Sequence, residues 1–155
     1  MRGRWITSPE SREDVHRLRA EHDAVLVGIG TVLADDPTLD VRTVGYDGPQ
    51  PRPIVLARHR SLPSHSRIAG RDPIVVTDPD GVDAIALLQR LPHDGILGVM
   101  VEGGPTIARA FLDADAVDEI VFYLAGRIAG GVGLPAIAGD FSTLADNRPV
   151  TIDEV

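Results

Sequence analysis

A glutamate followed by two glycines forms the pattern with the clearest chemical meaning in the chain. Glu102, Gly103 and Gly104 lie between an apolar run that predicts a strand and a segment, opened by Pro105 and Thr106, that predicts a helix. Glycines at such a turn let a ligand approach the backbone closely, and free N–H groups at a helix start favour an anion such as phosphate. The Glu102 carboxylate would project from the carboxyl end of the strand, where open α/β sheets bind ligands. A glycine-rich turn capped by Glu102, without a ligand, is the alternative interpretation.

A second glycine turn follows another predicted strand. Its residues are Gly28, Ile29, Gly30 and Thr31. Two carboxylates and a guanidinium come after it, on Asp35, Asp36 and Arg42. These groups could converge on a polar ligand, although either aspartate could instead form an Asx-turn before Pro37. Two glycine turns at strand ends together favour one shared ligand crevice.

A locally basic segment lies inside an otherwise acidic chain. Residues 51–71 contain five arginines and no acid: Arg52, Arg58, Arg60, Arg67 and Arg71. An arginine can bind a phosphate bidentately, and in a dinucleotide site such an arginine favours the 2′-phosphate of NADP over NAD. A solvated basic face is the alternative interpretation.

Composition excludes several classes of chemistry. The formal net charge is −8, which excludes a global basic field for nucleic acid. The absence of cysteine excludes disulfides, thiol nucleophiles and Cys-based metal sites. All 15 basic residues are arginine, so a Schiff-base or Walker A lysine is excluded too. The five histidines lack metal-ligand spacing, and we interpret them as surface residues without a metal. No apolar run is long enough to span a membrane, and we expect a soluble cytoplasmic protein.

The elements that would position these residues follow from the hydrophobic pattern. Ser8 and Pro9 are typical of a helix start, and that helix is predicted to end near residue 21. Short apolar runs predict strands at 23–28, 54–56, 73–77, 98–101 and 119–124, with a last one opening at 150–152. Further helices are predicted at 82–91 and from Thr106 to about Ala114. Residues 28–42 are predicted to form a loop, either without regular structure or with one helical turn. Helices that alternate with apolar strands are typical of an α/β layer fold.

Three separate motifs resemble a known family. They are Arg4-Trp5-Ile6-Thr7-Ser8-Pro9 with residues 15–20, residues 31–37 with Leu39 and Arg42, and residues 101–106. In order and spacing they resemble the reductase half of the bifunctional riboflavin-biosynthesis deaminase–reductase, the RibD C-terminal domain. The resemblance implies a dihydrofolate-reductase-like, three-layer α/β/α fold with a mostly parallel central sheet. It also implies NADPH-dependent reduction of the ribosyl group of 5-amino-6-(5-phosphoribosylamino)uracil to the ribityl form.

The resemblance also implies roles for individual residues. The cofactor would contact Trp5, Thr31, Asp35 and the turn formed by Gly104, Pro105, Thr106, Ile107 and Ala108. The phosphoribosyl-pyrimidine substrate would contact Arg19, Leu39, Arg42 and Glu102. Glu102 is the candidate catalytic residue, because it could hydrogen-bond the sugar or relay a proton to the opening ring oxygen.

The chain departs from the family pattern at several points. Without cysteine, the zinc site of the deaminase half is excluded. Few residues precede Trp5 and there is no lysine, so we expect one reductase-like domain, residues 1–155, without the family's first strand and C-terminal hairpin. Gly3 and Arg58 stand where the family has a substrate-contacting and a cofactor-contacting serine. We expect an unpaired sheet edge to favour a homodimer. A reductase of another heterocycle, or a non-catalytic nucleotide-binding or dimerisation remnant, is the alternative.

Overall fold

The computed structural model describes residues 7–124, 135–139 and 150–152. Trp5 and Gly3 therefore lie outside the described residues. The helices are α1 (Pro9–Ala20), α2 (Ile29–Asp35), α3 (Ala84–Arg90) and α4 (Pro105–Asp113), with short 3₁₀ turns at Ala69–Arg71 and Leu91–Asp94. The strands are β1 (Ala24–Gly28), β2 (Arg52–Leu56), β3 (Ile74–Val76) and β4 (Val99–Val101).

The four described strands form one parallel sheet in the order β3-β2-β1-β4. The chain runs outward from β1 to β2 and β3, then returns to the other side of β1 for β4. The direction of winding therefore reverses between β1 and β4. Open α/β sheets bind ligands in the crevice at the carboxyl ends of the strands where this reversal occurs.

Side chains that alternate along β1 build a core on each face of the sheet, as the period of a strand requires. Leu26 belongs to a cluster with Leu87 of α3 and Phe111 of α4. Its neighbour Val27 belongs to a second cluster with Val32 of α2. All five residues are at most 3% exposed. Helices thus cover both faces of the sheet, which confirms the predicted α/β layering with a parallel sheet.

The predicted starts of α1 and α4 are confirmed. Ser8 is the N-cap of α1, and its hydroxyl accepts the backbone N–H of Ser11 at 3.1 Å, with Pro9 as the first helical residue. Gly104 is the N-cap of α4 and Pro105 its first residue. Proline fits this position because the N–H that it lacks would have no helical partner there.

Two elements differ from the prediction. Residues 28–42 were expected to form a loop, but α2 occupies Ile29–Asp35 because Ile29 and Val32, three residues apart, are buried on one side of it. The strand expected at 119–124 is absent from the described structure, and so is the one expected at 150–152. The apolar residues of 119–124 are exposed, Phe122 at 59% and Leu124 at 93%, and no described strand supplies a ladder for them. None of the described helices is long and apolar enough to span a bilayer.

Candidate active site

The two glycine turns lie side by side where the sheet winding reverses. Leu26 of β1 is opposite Val101 of β4, and the Glu102 N–H donates to the Leu26 carbonyl at 2.9 Å. A Cβ added to Gly103 would lie 2.8 Å from Cβ of Ile107, and one added to Gly28 would lie 3.0 Å from the Cδ1 of the same side chain. Both turns therefore pack against the first turn of α4 and lie at one edge of the sheet, while the shared ligand crevice expected there stays a prediction.

Arg19 and Glu102 form a bidentate ion pair at this edge. Arg19 Nε donates to Glu102 Oε1 at 2.6 Å, and Nη2 donates to Oε2 at 2.7 Å. The Arg19 side chain is 9% exposed and that of Glu102 is 23% exposed. Charge-assisted pairs of this fork geometry are strong and directional. The pair fixes the carboxylate at the carboxyl end of β4, as the sequence predicted for Glu102.

The loop after α2 brings Arg42 toward the same pair. Arg19 Nη1 donates to the Asp40 carbonyl at 3.0 Å, and Arg42 Nε lies 3.3 Å from the Asp40 carboxylate. The Arg42 side chain is 60% exposed and therefore accessible to a ligand. Leu39 differs, because its side chain is 2% exposed and packs in the core beside Val32. Any contact between Leu39 and a ligand would come from its backbone.

The residues expected to contact a cofactor lie on α2 and on the first turn of α4. Thr31 is half-buried near the start of α2, and Asp35 is exposed at its end. On α4 the N–H groups of Ile107 and Ala108 donate to the Gly104 carbonyl at 3.0 and 3.1 Å. A Cβ added to Gly104 would meet no described atom within 4 Å. Among the described residues Gly104 is therefore uncrowded, although the Ala138 N–H donates to the carbonyl oxygen of Pro105 in the same turn at 3.0 Å. A phosphate at this helix start stays a prediction, because the N–H groups of Ile107 and Ala108 already have a partner within the turn.

Comparison with known proteins adds evidence at this point. The family model described as the RibD C-terminal domain matches residues 1–153. The chain belongs to this family. The RibD C-terminal domain of Acinetobacter baumannii RibD superposes with a TM-score of 0.80 at 30% identity, over 93% of this chain and 46% of that one. This agreement confirms the dihydrofolate-reductase-like α/β fold.

The chain covers very different shares of two relatives. The riboflavin biosynthesis protein RibD of Mycobacterium tuberculosis is 38% identical over 130 residues, which cover 82% of this chain and 37% of the relative. The 2,5-diamino-6-ribosylamino-4(3H)-pyrimidinone 5′-phosphate reductase of Archaeoglobus fulgidus is 33% identical, over 97% of this chain and 83% of the relative. The chain therefore spans well under half of the bacterial RibD protein and most of the archaeal reductase.

The basic segment of this RibD C-terminal domain does not form one patch. Arg52 pairs with Asp72 at 2.6 Å on the exposed surface. Arg67 lies 3.5 Å from Asp36, and Arg71 donates to backbone carbonyls of neighbouring segments. Arg58 is exposed directly after β2, at the same sheet edge as the glycine turns. Arg60 is likewise exposed after β2, so of the two interpretations offered for this segment a phosphate site stays a prediction for Arg58 and Arg60.

One histidine of the site was wrongly predicted to lie on the surface. His16 is half-buried, and its Nδ1 lies 3.1 Å from the Asp40 carbonyl and accepts the Arg42 N–H at 3.3 Å. Burial lowers the pKa of His16, and the nearby cations of Arg19 and Arg42 lower it further. His16 lies three residues before Arg19 on α1. That helical spacing was the available signal that both face one side.

Tyr123 ties the segment after α4 to α1 near the same pair. Its hydroxyl donates to Asp14 Oδ2 at 2.7 Å. Burial raises the pKa of Tyr123 to about 12, and the hydrogen bond and negative charge of Asp14 act in the same direction, as does the charge of Glu102. The phenol therefore stays protonated near neutral pH and remains a donor. Tyr123 was not among the predicted site residues, because residues 119–124 were expected only to form a strand.

Proposed function

We propose that the chain is an NADPH-dependent reductase that converts the ribosyl group of a phosphoribosyl-pyrimidine, 5-amino-6-(5-phosphoribosylamino)uracil, to the ribityl form in riboflavin biosynthesis. The observation that carries the proposal is the bidentate Arg19–Glu102 pair beside two glycine turns at the sheet's reversal. Membership of the RibD C-terminal domain family and the printed name of the archaeal reductase support the same reaction class.

The proposed roles divide the edge between two ligands. The coenzyme would lie against the start of α4, at Gly104 to Ala108, and against Thr31 and Asp35 of α2, with Trp5 as a further contact from the sequence. The substrate would lie against Arg19, Arg42 and Glu102. When bound, the reduced nicotinamide supplies the hydride. The chain's own contribution is to orient the two ligands and to hold charges where the sugar reacts.

Glu102 is suited to accept a hydrogen bond from the sugar. Both carboxylate oxygens already accept N–H groups of Arg19, at 2.6 and 2.7 Å. A ligand can then use only the remaining lone pairs, as a donor to the carboxylate. We infer that Glu102 holds and orients a ribosyl hydroxyl. Of the two roles considered from the sequence, this arrangement favours sugar binding over a proton relay.

Two pyrimidines are candidates for the substrate. The archaeal relative is named for the diaminopyrimidinone phosphate, and the chain covers 83% of it. The resemblance in sequence implied the aminouracil. The two compounds differ in the groups on the pyrimidine ring, whereas the proposed contacts of Arg19, Arg42 and Glu102 involve the phosphoribosyl part. These contacts do not distinguish the two compounds, so the resemblance in sequence decides the order: we propose the aminouracil as substrate, with the diaminopyrimidinone as the second candidate.

The decisive experiment measures binding and turnover separately. Trp5 is the single tryptophan, so its fluorescence reports NADPH titration. We expect quenching with micromolar affinity, followed by NADPH oxidation on addition of one of the two pyrimidines. If NADPH is oxidised with the diaminopyrimidinone but not with the aminouracil, the diaminopyrimidinone is the substrate. Absence of any response to millimolar NADPH would instead favour a non-catalytic remnant.

Preference for NADPH over NADH should depend on Arg58. Its exposed guanidinium follows β2 at the ligand edge, close to Gly81 in the turn after β3. Loss of one hydrogen bond to a charged group costs about 1.5–3 kcal/mol. We expect Arg58→Ala to raise KM for NADPH about tenfold and to leave KM for NADH nearly unchanged. Arg90→Ala, in the last turn of α3, is the control. Equal effects on both coenzymes would contradict a 2′-phosphate contact.

The homodimer and the cytoplasmic location stay proposals. In the described residues β4 pairs with β1 alone and has no described partner on its outer side. Unpaired strand edges tend to recruit a partner, which supports a homodimer.

A further inference from the structure

The loop at residues 36–42 holds one residue, Leu39, in a backbone conformation that its side chain does not favour. Asp36 and Leu39 have positive φ angles of 41° and 53°. Aspartate is among the non-glycine residues that adopt this region more readily, and Asp36 does so as the C-cap of α2, whereas a bulky residue such as leucine is an outlier there. Such conformations persist where the surroundings determine them, and they cluster at functional sites. This loop also carries Arg42, so what holds it bears on the proposed site.

Arg71 holds the loop at Thr38. Its Nη1 donates to the carbonyl oxygen of Thr38, and its Nη2 donates to the carbonyl oxygen of Pro51 at 2.8 Å. One planar guanidinium thus joins the loop to the residue just before β2. A lysine cannot reproduce this, because its ammonium is a single point charge without the fixed fork of N–H groups.

Arg19 holds the same loop two residues further on, at Asp40. Its Nη1 donates to the Asp40 carbonyl at 3.0 Å, while its Nε and Nη2 hold Glu102. The two arginines donate to the carbonyl oxygens of Thr38 and Asp40, which are only two residues apart. A shift of the loop at Thr38 therefore changes the support that Asp40 gives to Arg19, and with it the orientation of Glu102.

We propose that Arg71 is a positioning residue for the substrate half of the site. By fixing the Thr38 carbonyl against the Pro51 carbonyl, it maintains the loop geometry in which Arg19, Glu102 and Arg42 face the substrate together. The inference rests on the proposed function for its kinetic consequence. In this scheme Arg71 acts through the backbone and does not contact the ligand, and its two Nη atoms each donate to a carbonyl oxygen of the chain itself.

The kinetic test compares Arg71→Ala and Arg71→Lys with Arg67→Ala. Arg67 belongs to the same basic segment and reaches the same loop, but its side chain is 64% exposed, and its backbone N–H makes the 2.9 Å contact with Asp36. Misplaced binding groups can cost up to about a hundredfold in rate. We expect Arg71→Ala to raise KM for the pyrimidine at least about tenfold, with the Kd for NADPH changed less than about twofold. Arg67→Ala should resemble the unchanged protein.

Amide hydrogen exchange on the ligand-free protein tests the same inference without activity. Exchange of the amides of residues 38–41 should accelerate about tenfold in Arg71→Ala and Arg71→Lys, while the amides of β1 keep their protection. Unchanged loop exchange, an unchanged KM for the pyrimidine, or full recovery in Arg71→Lys would overturn the assignment. If the unchanged protein reduces neither pyrimidine, the proposed function fails, and the exchange result alone decides whether Arg71 positions the loop.

Discussion

Replacement of Glu102 by glutamine should lower kcat for the pyrimidine about a hundredfold and leave the Kd for NADPH within about twofold. Glutamine keeps the size of the side chain, but it removes the charge and presents an amide N–H₂ toward the Arg19 fork, where Nε and Nη2 now meet acceptors at 2.6 and 2.7 Å. The proposed contact with the sugar loses its anionic acceptor. The coenzyme contacts on α4 and α2 are unaffected. Stopped-flow NADPH oxidation and Trp5 fluorescence titration measure the two quantities.

The same substitution should also destabilise the fold. Removal of one partner from a buried ion pair costs about 3–5 kcal/mol, because the other charge is left without compensation. With Glu102 23% exposed, solvent reduces the loss, and we expect about 2 kcal/mol in urea unfolding. Glu21→Gln is the matched control, since Glu21 pairs with Arg17 at 2.8 Å on the surface, where both side chains are more than half exposed. The loss of unfolding free energy in Glu21→Gln should stay below about 1 kcal/mol.

Equal reductions in turnover and NADPH affinity in Glu102→Gln would argue against the proposed role of Glu102.

Alanine at Gly103 should destabilise the protein by about 1–3 kcal/mol, as overpacking does. The added Cβ would lie 2.8 Å from both Cβ and Cγ2 of Ile107, atoms held by the first turn of α4. Rotation about side-chain bonds does not move a Cβ atom, so neither the new alanine nor Ile107 can relieve the contact between the two Cβ atoms. The turn or the helix must therefore move. Thermal unfolding of Gly103→Ala against the unchanged protein measures this loss.

Alanine at the adjacent Gly104 should change stability little but weaken NADPH binding. Its φ is −71°, which alanine adopts freely, and the added Cβ would meet no described atom within 4 Å. We expect a stability loss below about 1 kcal/mol, the cost of a poorer N-cap. The methyl group would, however, enter the space proposed for a coenzyme phosphate, so the Kd for NADPH should rise about tenfold. An unchanged Kd in folded Gly104→Ala would move the coenzyme away from this helix start.

The amino-acid sequence by itself determined most of the local structure. Ser8 and Pro9 define the start of α1, and the glycine–proline step at Gly104 defines the start of α4, because caps depend on neighbouring residues only. Apolar runs located four strands for the same local reason. The failures at 28–42 and 119–124 have a tertiary cause. The helix α2 forms because Ile29 and Val32 find a core, and residues 119–124 have no described strand beside them.

Only the tertiary structure decided how the site is assembled. The motifs indicated Arg19 and Glu102 separately, but no local pattern joins residues 83 positions apart into one ion pair. No local pattern predicted the partner of Arg71 either. In the sequence it is one arginine of a basic segment, but in the structure it donates to the Thr38 carbonyl 33 positions away. Leu39 was expected at a ligand and is buried in the core. Residue type and short-range spacing are written in the sequence, whereas partners that lie far apart along the chain meet only through the sheet order and the packing of helices against it.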